Sequence, residues 1–98
     1  MKTLPANQQP VTVYSQRFNK IIHLTEHAQK RMIERDISMD LLIDLIETGQ
    51  LSYKDDKHAW IAKFYQHRTD NLLCAAVVID QTVIVKTVMY HFSFENEL

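Results

Sequence analysis

The chain has 98 residues, of which 46% are hydrophobic and 23% charged. That is enough for one globular domain, too little for two cores, and too apolar for a disordered chain. A formal net charge of −1 removes any global electrostatic drive toward nucleic acid, so a basic binding surface has to be local.

In chain order, residues 1–10 are polar, contain both Pro5 and Pro10, and read as a flexible N-terminal tail. A single α+β domain is expected over residues 11–92, followed by a frayed C-terminus at 93–98. Residues 11–15 (VTVYS) alternate weakly, as in an edge strand, and residues 20–24 (KIIHL) form a short strand. Thr25 is then a good N-cap for a first helix, whose core stripe is Ala28 and Met32. Glu26 and Lys30 make a favourable i, i+4 pair on its solvated flank.

Ser38 caps a second helix with Asp40 in its first turn. Leu41, Leu42, Leu45 and Ile46 form its apolar face, and Asp40, Asp44 and Glu47 point to water. Gly49, the one glycine of the chain, stands where a left-handed residue ends a helix. The remainder is strand-like: a short segment LSYKD, then residues 58–66, the uninterrupted apolar run 72–79 and a last strand over 82–92. Residues 67–71 (HRTDN) are turn-like. The expected architecture is two N-terminal helices packed on a three- to four-stranded antiparallel sheet.

Cys74, the single cysteine, has no internal disulfide partner and lies in the apolar run, which suits a buried thiol in a reducing compartment. No run approaches the ~20 residues of a membrane span, and no signal-peptide core is present. A cytoplasmic protein without a membrane partner is expected. His23 and His27 have an i, i+4 spacing, but His23 precedes the helix and no third ligand accompanies them, so neither a metal nor a cofactor is expected. Trp60, Phe64 and Tyr65 read as core aromatics, and residues 54–58 as a solvated charged loop.

The feature that points to chemistry is the first helix. His27, Arg31 and Arg35 recur at i, i+4 and i+8, drifting from the polar side to the edge of the core stripe. Adjacent arginines at this spacing repel by a few tenths, about 0.2–0.5 kcal/mol, unless an anion lies between them. An imidazole moves protons near neutrality, and guanidinium groups bind phosphate bidentately. These are parts of a metal-independent ribonuclease in which the RNA 2′-hydroxyl is the nucleophile; the same spacing also suits two solvated helix-face arginines beside a partly buried packing histidine.

The pattern H-A-x-x-R-M-x-x-R-x-I-S from His27 to Ser38, followed by an apolar helix ending in Gly49 and strands closing on VKTVMY, resembles an uncharacterised group of small domains. That group is itself similar to the RelE/BrnT-type ribonuclease toxins of bacterial toxin–antitoxin systems. The resemblance covers roughly residues 22 to 91. It implies a RelE-like sandwich with RNA held in a cleft between the first helix and the sheet. His27 would transfer the proton, Arg31 and Thr87 would complete the catalytic set, and Arg35, Lys30, Lys86, Tyr90 and His91 would hold RNA. An antitoxin protein is the implied partner.

Strict alternation of the last strand places Thr87 with Met89 and His91, and Lys86 with Tyr90, so that Thr87 and Tyr90 share a cleft only if a bulge intervenes. A non-catalytic module of the same fold, binding RNA or a protein through the Arg31/Arg35 edge, is the alternative. An unpaired edge at residues 11–15 or elsewhere in the sheet would leave a surface for a homodimer.

Overall fold

The computed structural model describes residues 13–65 and 72–91. The expected tail at 1–10, the turn at 67–71 and the frayed segment at 93–98 lie outside them. The elements run β1 (Val13–Ser15), β2 (Lys20–Leu24), α1 (Glu26–Glu34), α2 (Met39–Thr48), β3 (Gln50–Tyr53), β4 (His58–Phe64), β5 (Leu72–Ile79) and β6 (Val83–His91).

The class is α+β, but the sheet is not the expected three- to four-stranded antiparallel one. It has six strands in the order β1-β2-β6-β5-β4-β3, and it is mixed. β3 to β6 form an antiparallel meander, while β2 adds to β6 in parallel, with Ile22 opposite Val83 and Leu24 opposite Val85. β1 then folds back antiparallel on β2. The physical reason is the edge that a four-stranded meander would leave along β6, a row of unpaired N–H and C=O groups. Strand periodicity identifies both N-terminal segments but carries no information on which strand they pair with. The outer strands of the sheet are β1 and β3.

Both helices lie on one face. Ala28 and Met32 of α1 and Leu42, Leu45 and Ile46 of α2 are buried against Ala59, Ile61, Leu73, Ala75, Val85 and Val88. The caps follow from local sequence. Thr25 Oγ1 accepts from Ala28 N at 3.0 Å, and Ser38 Oγ accepts from Leu41 N at 3.1 Å, as hydroxyl caps do. Helix α1 stops because Asp36 is left-handed (φ 55°). Ile37 N then donates to Met32 O at 2.8 Å and Asp36 N to Ile33 O at 3.3 Å, the bond pair of a Schellman end, with Met32 and Ile37 both buried.

Gly49 ends α2 for a different reason from the one expected. Its φ is −72°, so no left-handed conformation requires it. A Cβ there would meet Ile61 Cγ2 and Leu45 O, each at 2.6 Å. Glycine is required because α2 leaves the helix directly against β4.

Two acidic residues of α2 also differ from the expectation that they face bulk water. Glu47 receives Ser15 Oγ at 2.5 Å, Gln16 N at 2.8 Å and Arg17 N at 3.3 Å, and Ser15 is fully buried. Arg17 in turn donates to Ile46 O and Gly49 O at 3.0 and 2.7 Å, satisfying carbonyls at the C-terminal end of α2. The β1–β2 hairpin is thereby clamped to the second helix. Asp44, the other residue, is bonded to β4 and to Tyr65.

Two stability measurements check this packing. Gly49→Ala forces Cβ into backbone and a buried isoleucine, and should lower unfolding free energy by about 1–3 kcal/mol in denaturant titration. Glu47→Ala leaves the buried Ser15 hydroxyl without its acceptor, and should cost about 1–3 kcal/mol in the same assay.

Candidate functional site

The face of the sheet away from the helices carries the site, and a β-bulge in β6 shapes it. Ala76 pairs with Thr87 and the next residue, Val77, pairs with Val85. Lys86 is thus the extra residue, and two residues of β6 oppose one of β5. The interruption resets the alternation, so that Val85 and Val88 are both 0% exposed, although they are three apart. Lys86 and Thr87 between them both line a groove of about 300 Å³ on the opposite face, together with Lys54, His58, Trp60 and Ala76.

This arrangement corrects the alternation expected for the last strand. Lys86 does not share a face with Tyr90. It is exposed beside Thr87, whereas Tyr90 is 8% exposed and packs in the core. A bulge is present, but it precedes Thr87, so it unites Thr87 with Lys86 rather than with Tyr90. His91 closes β6 opposite Leu72.

Across the groove, β4 supplies the residues that sequence reasoning treated as core or loop. Trp60 is 40% exposed and Phe64 49% exposed, because alternation in β4 gives the core face to Ala59 and Ile61. His58 starts the strand. Its Nδ1 donates to the Asp55 carboxylate at 3.0 Å, which also accepts from Lys57 N at 2.9 Å and His58 N at 2.8 Å. The backbone amides of His58 and Lys57, followed by the imidazole, hold the Asp55 carboxyl down at about 2 against its ordinary 3.8. The imidazole is therefore fixed in orientation by an ionised partner, which leaves Nε2 for a ligand. The sequence signal was D-x-x-H at the start of a strand, an Asx-type turn closing on a histidine.

Helix α1 is tied to the same bulge. Thr25 N donates to Val85 O at 3.2 Å, and Thr25 Oγ1, while capping the helix, donates to Lys86 O at 3.1 Å. His27 follows in the first turn and is exposed. Arg31 lies one turn further and forms an exposed ion pair with Glu34 at 3.4 Å, the kind of pair worth about 0–1 kcal/mol. Arg35 is the C-cap of α1 and is half-buried, and Lys30 is exposed. The structure thus joins the first turn of α1 to the backbone of Val85 and Lys86 through Thr25. It leaves Arg31 and Arg35 progressively farther along the helix, on the other face from the groove.

A second polar cluster lies on the helix side. Asp44 Oδ2 accepts from Tyr65 OH at 2.5 Å and from Lys63 Nζ at 2.9 Å, and Lys63 also donates to Thr48 Oγ1 at 2.7 Å. The Tyr65 and Lys63 bonds hold the Asp44 carboxyl below its usual range. Burial, then Asp44, push the Tyr65 phenol upward. These bonds tie β4 and Tyr65 to α2.

Among the described residues no group of three or more His, Cys, Asp or Glu side chains is placed to hold a metal ion, and no helix is long and apolar enough to cross a membrane. Comparison with family models matches residues 24–90 to a family described as "Domain of unknown function (DUF4258)". Comparisons with curated proteins and with solved structures find no match. The matched region begins just before the Thr25 junction and ends at Tyr90, so it contains α1, the bulge and the whole groove.

The depressed Asp55 carboxyl gives a test of the loop. A lowered folded-state pKa contributes stability that is fully present above 3.8 and is lost as pH falls through about 2. In an NMR titration over the acid range, the Asp55 side-chain carboxyl signal should move with a midpoint near that lower value rather than near 3.8. In Asp55→Asn the acid transition should be absent.

Proposed function

We propose that this chain, which belongs to the DUF4258 family, is a small metal-independent endoribonuclease of the RelE/BrnT toxin type. The observation that carries the reading is the Thr25 junction. One side chain caps α1 and binds the Lys86 carbonyl, which ties the helix turn that carries the exposed His27 to the bulged strand that carries Lys86 and Thr87. The resemblance of the His27 to Ser38 pattern to such toxins supports the same assignment.

In this mechanism the RNA 2′-oxygen attacks the adjacent phosphorus. His27 takes the 2′-hydroxyl proton as the O2′–P bond forms, and the P–O5′ bond breaks as the leaving 5′-oxygen takes a proton from solvent. Arg31, one turn along the helix from His27, offsets the charge that develops on the phosphoryl oxygens, and Lys86 and Thr87 at the bulge hold a flanking part of the RNA. The products are a 2′,3′-cyclic phosphate and a 5′-hydroxyl. Because the nucleophile is internal to RNA, the step is complete without an activated water. An antitoxin protein is the partner that would restrain such an activity.

The Arg31–Glu34 pair favours a second reading, a non-catalytic RNA- or protein-binding module, because the guanidinium already has a carboxylate partner. Induced expression in bacteria separates the two. Wild-type protein should arrest growth and fragment cellular RNA. With purified protein, His27→Ala should lower the cleavage rate by about 10²–10⁴-fold, the range for a lost acid–base group. Normal growth with intact RNA for both proteins would remove the nuclease reading and leave the binding module.

A further inference from the structure

The helix-free groove carries more than the His27 mechanism uses. Trp60 is a large aromatic side chain held on a strand and partly exposed, directly opposite Ala76, which in turn faces Thr87. Two small side chains in a row beside an indole leave room for a planar group to lie against it. The charged side chains lining the same groove are Lys54 and Lys86, both cationic. Of the acidic groups nearby, Asp55 is engaged with His58 at 3.0 Å and Asp80 with Lys57 at 3.2 Å, and Asp56 lies in the adjoining loop pocket rather than along the groove. A chain with a net charge of −1 therefore presents here a local surface of two lysines, an oriented imidazole and an indole.

That combination fits one ligand chemistry, a planar base joined to phosphate. Stacking of a base on an aromatic side chain contributes about 1–3 kcal/mol by alanine substitution, and flanking lysines track the backbone. A duplex hides its base faces inside the stack, so the indole can be used only by an unpaired nucleotide. The geometry points to this groove as a subsite for one unpaired nucleotide of single-stranded RNA, with Trp60 stacking on the base, Lys54 and Lys86 holding its phosphates and His58 Nε2 hydrogen-bonding the nucleotide.

The choice of RNA rests on the ribonuclease reading, while the stacking and charge argument stands on the groove alone. Lys86 belongs to both regions: its side chain lines the groove and its carbonyl binds Thr25 at the head of α1. The subsite would thus select a nucleotide that flanks the cleaved bond. His58 is a positioning residue here, aimed by Asp55 at the nucleotide rather than at the reacting phosphate.

The chain has a single tryptophan, so its intrinsic fluorescence reports Trp60 alone. The full-length protein is titrated with a short single-stranded 2′-O-methyl oligouridine, which lacks the nucleophile and cannot be cleaved. The same titration is repeated with a duplex of matched length and with inorganic phosphate. The single strand should quench the fluorescence saturably, the duplex should bind at least about tenfold more weakly, and phosphate should not quench. Trp60→Ala, followed by anisotropy of a labelled oligonucleotide, should weaken binding by about tenfold or more, with Trp60→Phe restoring most of it. Lys54→Ala and Lys86→Ala should each lower the affinity and its salt dependence, and Asp55→Asn should weaken binding without changing the circular dichroism spectrum.

Absence of quenching by the single strand, or equal affinity for the duplex, overturns the subsite. Cleavage of RNA with unchanged kcat/KM by Trp60→Ala also overturns it, while leaving the nuclease reading intact. Quenching by the 2′-O-methyl probe together with no cleavage of unmodified RNA supports the subsite and removes the nuclease.

Discussion

One additional residue in β6 fixes most of what this protein presents to its surroundings. With Lys86 inserted between the pairs Val85–Val77 and Thr87–Ala76, the strand changes phase. Val83 and Val85 before the bulge, and Val88 and Tyr90 after it, all reach the helix-covered core. A regular strand could bury only one of these sets on that face, because side chains alternate strictly. Burying four apolar side chains outweighs the disruption to one rung of the ladder. The side chains displaced by the phase change, Lys86 and Thr87, are then presented together on the opposite face.

The bulge also explains how the N-terminal hairpin and the first helix are placed. β2 pairs with β6 only from Val83 to Val85 and ends where the bulge begins. There Thr25 takes over, bonding Val85 O through its amide and Lys86 O through its hydroxyl while starting α1. The other end of the hairpin is held by Glu47 and Arg17 at the end of α2. A three-residue strand such as β1 would be marginal alone; ionic hydrogen bonds to a helix end make it a fixed edge. The helix side of the molecule is thus closed by packing and internal polar bonds.

The charge distribution follows the same division. On the helix side, Asp44, Lys63 and Tyr65 satisfy one another, and Glu47 and Arg17 satisfy backbone. On the opposite side, Asp55 and Asp80 are engaged with His58 and Lys57, and Lys54 and Lys86 face the groove. A formal charge near zero therefore says little about this surface, because the sum runs over groups that have already neutralised each other.

What the sequence determined by itself was local. Thr25 and Ser38 were readable as caps, since a hydroxyl binding an amide three residues on needs no distant partner. The stripe Ala28–Met32, the apolar face of α2, the position of each strand and the helix end at Gly49 were readable for the same reason. The tertiary structure decided everything that depends on which segments meet. Parallel addition of β2 to β6, the roles of Glu47 and Asp44, and the steric reason for Gly49 all rest on contacts far apart in the chain. The bond from Thr25 to Lys86 spans 61 residues, and no periodicity records it. Trp60 and His58 likewise became site residues only through the strands beside them, and the phase of β6 was set by its pairing with β5. Hydrogen-bonded neighbours three or four residues apart leave a signature in sequence; the register of a sheet is chosen by the whole core at once.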